Sequence, residues 1–187
     1  MQILGLCGSL RKGSYNRMLL MAAAELCGDV EMVVFEGLGD IPAYNADVPV
    51  PESVRHLDQL IRDTDGLLIA TPEYNSSIPG VLKNALDWIS VPFANNPVMG
   101  KPAAVVGSST GMFGAVWAQH EARKVLTALG GAVVDTDLPI ARADEVLTAD
   151  GLVDPDLRVA LGDIVGTLVA RMHESVGADM GDDAKLR

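Results

Sequence analysis

The sequence of 187 residues predicts an α/β fold, in which a doubly wound parallel sheet lies between two layers of helices. Short, continuous apolar runs alternate along the chain with longer segments whose apolar residues recur at helical spacing. This alternation is typical of parallel strands joined by helical crossovers. Three of the apolar runs are followed directly by loops rich in small and polar residues. Because ligands of such sheets bind beyond the carboxyl ends of the strands, these loops are the expected place for a site.

The first strand is expected at residues 2–7, where the sequence QILGLC is almost wholly apolar. A helix follows at about 15–27, with Ser14 placed to cap its N-terminus because a serine hydroxyl can accept from an unpaired N–H of the first turn. Residues 30–36 form the second predicted strand. The stretch 37–51 is rich in proline, glycine and asparagine, which indicates a long surface loop.

The third and fourth strands, at 66–71 and 102–109, are continuous enough in apolar residues to be buried on both faces. A helix at 52–63 precedes the third strand. The clearest helix of the chain lies between the two strands, where apolar residues recur at i, i+3, i+4, i+7, i+8 and i+11. These residues are Ile78, Val81, Leu82, Ala85, Leu86 and Ile89.

The C-terminal third predicts a helix at about 112–129, a short fifth strand at 131–135 and a final helix. The final helix is marked by apolar residues at helical spacing: Leu157, Leu161, Ile164, Val165, Leu168 and Met172. A single domain is expected over residues 1–175, followed by a disordered tail at 176–187.

Composition argues against several kinds of function. The net charge of −11 would repel nucleic acid and anionic lipid, and the 14 Lys and Arg residues are scattered along the chain. No apolar run approaches the roughly 20 residues that span a bilayer, so we expect a soluble, cytoplasmic protein without a membrane partner. Cys7 and Cys27 lack the spacing of a metal site or a disulfide framework, which predicts buried, reduced thiols and no bound metal.

The first loop, GSLRKGSYN at 8–16, places hydroxyl, amide and cationic side chains at the start of a helix. It lacks the lysine of the nucleotide triphosphate motif GxxxxGK[ST], GLCG does not fit GxGxxG, and strand two ends without a clear acidic partner for a ribose. A terminal phosphate monoester suits the loop better, because such side chains and helix N–H groups can all bind phosphate oxygens. The candidates are Ser9, Arg11, Ser14 and Asn16. The alternative is a capped helix start beside a solvated turn.

The other two loops could complete the same site. TPEYNSS at 71–77 combines a proline, an aromatic residue and several amide or hydroxyl groups, and its backbone N–H groups could bind the edge of a flat heteroaromatic ring. The alternative there is a Pro-Asn turn with a cap at Ser77. GSSTGMFG at 107–114 has small residues that leave room for a ligand, although glycine-rich turns are common.

These loops lie within motifs that resemble those of a known family. GSLRKGSYN looks like the GSxRxxSxN phosphate loop of the NADPH-dependent FMN reductase family, which includes quinone, azo-dye and chromate reductases. PEYNSSIPGVLKNALDW resembles that family's PEYNxSIPGxLKNAxDW segment, and GKPAAVVGSSTGMFG is similar to its third ligand loop. The resemblance covers about residues 1–135. It implies a flavodoxin-like three-layer sandwich whose five parallel strands lie in the order 2-1-3-4-5.

The resemblance also implies which residues contact FMN. The phosphate would be bound by Ser9, Arg11, Ser14 and Asn16. One side of the isoalloxazine would be flanked by Pro72, Glu73, Tyr74, Asn75 and Ser76. The other side would be lined by Ser108, Ser109 and Gly111. Thr110 stands where the family often has proline, and Met112 and Phe113 change what covers the ring. These departures concern the choice of acceptor rather than flavin binding.

The expected activity is transfer of hydride from NADPH or NADH through FMN to a small acceptor, by a ping-pong mechanism. The acceptor could be a quinone, an azo compound, a metal oxyanion or free flavin. Because the flavin N5 carries the chemistry, no catalytic side chain is required. Cys7 is interpreted as a core residue and His120 as a surface or interface residue.

The chain is expected to form a homodimer or homotetramer, as the family typically does, and Trp88 and Ile89 could contribute to the interface. Two other functions stay open at this point. One is a flavodoxin-like electron carrier that does not itself oxidise a nicotinamide. The other is a binding or regulatory module that has lost its flavin.

Overall fold

A parallel sheet forms the centre of the computed structural model, which describes residues 1–149 and 151–183. Its main strands are β1 (Gln2–Cys7), β2 (Glu31–Phe35), β3 (Gly66–Thr71), β4 (Pro102–Ser108) and β5 (Ala132–Val133). They lie in the order β2-β1-β3-β4-β5, and all neighbouring pairs are parallel. The predicted α/β class and strand order are therefore confirmed. The direction of winding reverses between β1 and β3, which is where such sheets bind ligands.

Helices cover both faces of the sheet. They are α1 (Tyr15–Ala24), α2 (Glu52–Asp63), α3 (Gly80–Ile89), α4 (Val116–Ala128), the short α5 (Ala143–Val146) and α6 (Pro155–Asp183). One hydrophobic core joins the sheet to α2, α3 and α4, and a second joins it to α1 and α6. Alternate residues of β3 enter the two cores: Leu67 and Ile69 face the first, and Leu68 and Ala70 face the second. This two-sided burial explains why β3 is apolar at consecutive positions.

The fifth strand position is divided into two short pieces. β5 pairs with the start of β4, and a sixth strand, β6 (Pro139–Ile140), pairs with Gly107 and Ser108 at its end. In the gap between them, the buried Gln119 of α4 donates to the Leu138 carbonyl at 3.0 Å and accepts from the Leu138 N–H at 3.0 Å. A side-chain amide thus replaces the missing backbone pairing. The sequence predicts one strand at 131–135 and does not predict β6.

Two helix boundaries differ from the prediction for local backbone reasons. α4 begins at Val116 instead of 112, because Gly114 and Ala115 have φ angles of 57° and 60°, outside the helical region. α1 ends at Ala24 instead of 27, because the next backbone N–H groups donate to carbonyls three residues earlier instead of four. The Leu26 N–H, for example, donates to Ala23 O at 2.9 Å.

The segment between β6 and α6 contains elements that are not predicted from the sequence. It forms α5 and an antiparallel pair of short strands, β7 (Leu147–Thr148) and β8 (Gly151–Leu152). The backbone of α6 continues to Asp183, into the segment 176–187 for which a disordered tail is predicted, and 184–187 lie outside the described residues. In the described part of the chain, no helix combines the length and hydropathy needed to cross a membrane.

Two predictions concern the burial of side chains. Cys7 and Cys27 are buried, free thiols, as expected. Trp88 and Ile89 are only 4% and 2% exposed, and the Trp88 indole N–H donates to the Pro42 carbonyl at 2.8 Å. The suggestion that these two residues form an interface between chains is therefore wrong, because they belong to the core beside α3.

Candidate functional site

The loops that follow β1, β3 and β4 meet at the carboxyl edge of the sheet and surround a cavity of about 220 Å³, here called the central cavity. We call them loop 1 (8–14), loop 2 (72–79) and loop 3 (109–115). The predicted site residues that line the cavity are Ser9, Arg11, Ser14, Asn16, Pro72, Glu73, Tyr74, Ser108 and Ser109, and they are joined by Tyr15 and Thr110. Three segments that lie far apart in sequence are thus brought together as predicted.

Three predicted site residues do not line this cavity: Asn75, Ser76 and Gly111. Asn75 and Ser76 form the tip of a tight turn, in which the Tyr74 N–H donates to Ser77 O at 2.9 Å and the Ser77 N–H donates to Tyr74 O at 3.1 Å. Both tip residues are left-handed, with φ angles of 53° and 60°. The left-handed conformation is unfavourable for Ser76, because its Cβ comes close to the following carbonyl oxygen, whereas asparagine adopts this conformation more readily. Ser77 does not cap α3, whose N-cap is Pro79.

Loop 1 carries both the serine that caps α1 and the guanidinium of Arg11. The Ser14 hydroxyl accepts from the Arg17 N–H at 3.2 Å and so caps α1. The Arg11 guanidinium donates to Gly13 O at 2.6 Å and stacks over the Tyr15 ring, 5.1 Å from its centroid. These contacts hold a permanent positive charge at the cavity wall beside the N-terminus of a helix. Both features favour an anionic ligand.

Asn16 connects loop 1 to the end of β4. Its side-chain amide donates to Ser108 O at 3.1 Å and accepts from the Ser108 N–H at 2.9 Å. The residue is 3% exposed, so both bonds are buried. Asn16 is predicted from the sequence as a phosphate ligand, and no local pattern predicts its bonds to Ser108. These bonds give Asn16 a positioning role.

Ser108 carries a buried hydroxyl that is not satisfied by the protein. The residue is 1% exposed and lines the central cavity, and within the described residues its Oγ has no hydrogen-bond partner. Because a buried hydroxyl without a partner is costly, such groups in native proteins usually meet a ligand or water. FMN carries phosphate and ribityl oxygens that could meet this need. The residues at the site therefore fit the cofactor that the sequence motifs imply.

Glu73 of loop 2 caps α4. Its carboxylate accepts from the Trp117 N–H at 3.1 Å and from the Ala118 N–H at 3.4 Å. The N-cap position itself is occupied by Ala115, which has no side-chain oxygen. A carboxylate is favourable there because the N-terminus of a helix has positive potential. The contact fixes loop 2 against the helix that follows loop 3.

Two glycines, Gly107 before loop 3 and Gly114 within it, are required by the protein's own backbone. A Cβ on Gly107 would lie 2.8 Å from the Thr71 carbonyl oxygen, and one on Gly114 would lie 2.4 Å from the Pro139 carbonyl carbon. Gly111 is different, because a Cβ there would meet only the Ser109 Oγ, at 3.4 Å. Gly111 therefore has open space beside it that neither Gly107 nor Gly114 has.

Exposed apolar side chains lie directly after these residues. Met112 is 83% exposed and Phe113 is 61% exposed. The Phe113 ring contacts the ring of Trp117, with a distance of 4.8 Å between centroids. This surface extends from loop 3 onto the first turn of α4.

Cys7 and His120, which are interpreted from the sequence as a core residue and a surface or interface residue, lie outside the central cavity. Cys7 lies beneath loop 1, where its thiol donates to Ser9 O at 3.4 Å and contacts the Ser14 Oγ at 3.6 Å. His120 lies on α4, with its Nε2 3.2 Å from the Asp137 carboxylate. Neither is among the residues that line the cavity.

A parallel sheet in the order β2-β1-β3-β4-β5, with three loops that meet at its switch point, defines a flavodoxin-like fold. The family model described as NADPH-dependent FMN reductase matches residues 1–145. The chain belongs to this family. It is an FMN-dependent oxidoreductase that uses NADPH or NADH as co-substrate.

Relatives and solved structures agree with this assignment. The chain is 45% identical over 131 residues to an NAD(P)H-dependent FMN reductase of Pseudomonas aeruginosa, a match that covers 68% of this chain and 70% of the relative. It is 41% identical over 155 residues to a 2-hydroxy-1,4-benzoquinone reductase of a Burkholderia species, which covers 81% of this chain and 85% of the relative. The structure is similar to the flavoenzyme NAD(P)H:(acceptor) oxidoreductase FerB of Paracoccus denitrificans, with a TM-score of 0.82, 35% identity and coverage of 93% and 98% of the two chains.

Proposed function

We propose that this protein passes hydride from NAD(P)H through FMN to a small acceptor by a ping-pong mechanism. Quinones are favoured, because a Burkholderia relative is named a 2-hydroxy-1,4-benzoquinone reductase. Azo compounds, metal oxyanions and free flavin are the other acceptors to be tested. The observation that carries the proposal is the central cavity. Arg11 lines it together with Ser108, whose hydroxyl has no hydrogen-bond partner among the residues that the structure describes.

In this proposal loop 1 binds the FMN phosphate. Ser9, Arg11 and Ser14 supply two hydroxyls and a guanidinium at the N-terminus of α1. Asn16 is proposed to contribute in part through a direct contact and in part by fixing Ser108. The Arg11 charge is the largest favourable contribution, since charge-assisted hydrogen bonds contribute roughly 1.5 to 3 kcal/mol each.

Loops 2 and 3 are proposed to hold the two sides of the flavin ring. Bound FMN supplies the redox chemistry by accepting and releasing hydride at N5. Backbone N–H groups of loop 2, between Pro72 and Ser76, would stabilise the electron-rich reduced ring. On the other side, Ser108, Ser109 and Gly111 would leave space for the ring. No side chain of the protein needs to act as acid, base or nucleophile.

A two-part experiment tests this function. Purified protein loaded with FMN is mixed with NADPH alone, and we expect the flavin absorbance to bleach without a partner reductase. Steady-state rates with NADPH and a quinone should then give parallel double-reciprocal lines. A flavin that bleaches only with a partner reductase would indicate an electron carrier, and intersecting lines would contradict the ping-pong order. Protein that takes up no FMN would indicate a binding module that has lost its flavin.

The Arg11→Ala variant tests the phosphate site. We expect its dissociation constant for FMN to rise about 10- to 150-fold, the loss of one charge-assisted interaction. The measurement is quenching of flavin fluorescence on binding. Arg55→Ala is the matched control, because Arg55 lies on α2 and pairs with Glu52 on an exposed surface. Equal affinities of the two variants would contradict the assignment of loop 1.

We also propose that the protein works in the cytoplasm as a homodimer or homotetramer. The two free cysteines suit a reducing compartment. The exposed side chains of Met112, Phe113 and Trp117 form an apolar surface beside the site that a second chain could cover. Light scattering coupled to gel filtration measures the assembly, and a monomer at micromolar concentration would contradict it.

A further inference from the structure

Loop 3 is bonded to residues 138–143, here called segment 138–143. The Ser109 N–H donates to Ile140 O at 3.0 Å, and the Ala143 N–H donates to Ser109 O at 3.0 Å. These bonds continue, beyond the sheet, the pairing of β6 with the end of β4. Segment 138–143 therefore determines where the backbone of Ser109 lies.

Further backbone groups of loop 3 are also used within the protein. The Arg142 N–H donates to Gly111 O at 3.3 Å, and the Gly111 N–H donates to the Ser109 Oγ at 3.0 Å. Because the protein itself satisfies these groups, Ser109 and Gly111 are held in place before any ligand binds. Both belong to the side of the site where loop 3 is proposed to flank the flavin ring.

A single side chain joins loop 3 to segment 138–143. The Gln119 amide donates to Gly114 O at 3.1 Å, near the end of loop 3, and to Leu138 O at 3.0 Å, at the start of the segment. Its amide oxygen accepts from the Leu138 N–H at 3.0 Å. Gln119 is fully buried, so water does not reach these backbone groups to replace the bonds.

The end of loop 3 has a strained backbone that Gln119 holds. Gly114 and Ala115 are consecutive left-handed residues, with φ angles of 57° and 60°, and this conformation is unfavourable for Ala115 because it has a Cβ. The Gln119 side chain bonds to Gly114 O, and the Gln119 N–H donates to Ala115 O at 3.0 Å. Strained residues persist where the surrounding structure fixes them, and they cluster at ligand-binding and active sites. The strain therefore points to a function for the position of loop 3.

Asn96 forms a matched set of bonds at the other end of β4. Its amide donates to Phe93 O at 2.8 Å and to Leu129 O at 3.1 Å. Its oxygen accepts from the N–H groups of Val98 and Met99 at 3.0 and 3.1 Å. Asn96 is buried and precedes β4, whereas the central cavity lies beyond the carboxyl ends of the strands. It provides a control with the same chemistry away from the site.

We propose that Gln119 is a positioning residue of the flavin site, which holds Ser109 and Gly111 where loop 3 flanks the flavin ring. Gln119 acts through loop 3 and segment 138–143, since it is not among the residues that line the central cavity. The inference rests on the proposed function, in which loop 3 holds the ring and loop 1 binds the phosphate. Loss of the Gln119 amide should therefore weaken binding of the ring and leave the contribution of the phosphate unchanged.

The first test needs no flavin. Hydrogen exchange followed by mass spectrometry compares the FMN-free wild type with Gln119→Met, which keeps the length of the side chain and removes its hydrogen-bonding groups. We expect peptides that cover 108–115 and 138–143 to lose protection by about 10-fold or more, because buried backbone groups lose their partners. Asn96→Leu should leave these peptides unchanged and expose 93–99 instead.

The second test separates the ring from the phosphate. Riboflavin carries the ring and ribityl chain of FMN without the phosphate. In Gln119→Met the dissociation constants for FMN and riboflavin should rise by the same factor, about 10-fold, because only molecules with loop 3 in place bind the ring. In Arg11→Ala only the constant for FMN should rise, and Asn96→Leu should change neither. Quenching of flavin fluorescence measures all of these constants.

A measurement on the wild type keeps the inference testable if Gln119→Met does not fold. Hydrogen exchange of the FMN-free protein at increasing, sub-denaturing urea concentrations identifies parts of the chain that open together. We expect 108–115 and 138–143 to open as one unit, because Gln119 bonds to both. Independent opening of these two peptides would overturn the inference.

The remaining outcomes separate the inference from the proposed function. Unchanged protection of loop 3 in Gln119→Met would overturn the inference, and so would lost protection with unchanged affinity for both flavins. Equal weakening of flavin binding in Asn96→Leu would also overturn it, since general stability would then explain the effect. A wild type that binds neither flavin would overturn the proposed function, while hydrogen exchange would still test whether Gln119 holds loop 3.

Discussion

Ser108 illustrates, at the scale of single residues, a conflict between stability and ligand binding. Its buried hydroxyl lines the central cavity without a partner from the described residues. We expect Ser108→Ala to raise the free energy of unfolding of the FMN-free protein by about 1 kcal/mol, because a costly unpaired group is removed. The same change should weaken FMN binding about 2- to 10-fold, the contribution of one neutral hydrogen bond.

Urea denaturation of the FMN-free protein and fluorescence titration with FMN measure these two effects. Ser90→Ala is a useful control, since the Ser90 hydroxyl donates to Asp87 O and lies far from the site in the fold. Loss of stability in Ser108→Ala together with unchanged FMN affinity would show that the hydroxyl serves the protein and not the ligand.

Asn16 allows a positioning role to be separated from ligand binding. Asn16→Ala would leave the buried Ser108 N–H and carbonyl without partners, so we expect the FMN-free protein to lose about 2 to 4 kcal/mol of stability. A residue that only binds phosphate would leave the stability of the FMN-free protein unchanged. Urea denaturation without FMN decides between the two roles, and the Arg11→Ala variant serves as the comparison.

At the scale of the elements, α4 depends on a cap from another part of the chain. We expect Glu73→Ala to destabilise the protein by about 1 to 2 kcal/mol, because the first turn of α4 loses both a hydrogen-bond acceptor and a favourable charge. Glu73→Gln keeps the acceptor and should lose less than Glu73→Ala. The midpoints of urea denaturation measure both changes, and equal losses in the two variants would contradict the capping role.

The sequence predicts the central elements well, because their signals are local. β3 is a continuous apolar run and α2 has a regular helical period, and both have the predicted bounds in the structure. The division of the fifth strand was not predictable in the same way. It depends on hydrogen bonds from the Gln119 side chain of α4 to the backbone of Leu138, and no local sequence pattern predicts these bonds.

The candidate site shows the same division between local and distant signals. Loop composition and family motifs placed Ser9, Arg11 and Ser108 at one cavity. They did not reveal that Glu73 caps α4, or that Asn16 bonds to the backbone of β4. Each of these polar side chains fits a ligand as well as it fits a backbone partner, so their residue types alone cannot distinguish the two roles.

For the molecule as a whole, stability in alkaline solution should depend on Lys101. This lysine precedes β4 at the opposite edge of the sheet, and its ammonium donates to the Thr64 carbonyl. Burial lowers the pKa of Lys101. Between the lowered pKa and the ordinary lysine pKa, the unfolded chain binds more protons than the folded one, so this residue makes stability rise with pH.

The Lys101→Met variant tests this dependence. Its free energy of unfolding should lack the contribution that rises with pH. The free energy of unfolding of the wild type minus that of the variant should therefore increase as the pH rises through the alkaline range. Urea denaturation at a series of pH values measures it, with Lys124→Met on exposed α4 as the control. A difference that does not change with pH would contradict the expectation.

The contacts that join the three loops also have a consequence for how the protein is made. The bonds from Asn16 to Ser108 and from Glu73 to Trp117 connect residues 92 and 44 positions apart. A growing polypeptide releases residues 8–16 early, yet the Asn16 amide in this segment can bond to Ser108 only after β4 has left the ribosome. We therefore expect loading with FMN to be a late step of biosynthesis, and we expect a chain interrupted before β4 to carry the first motif without retaining a flavin.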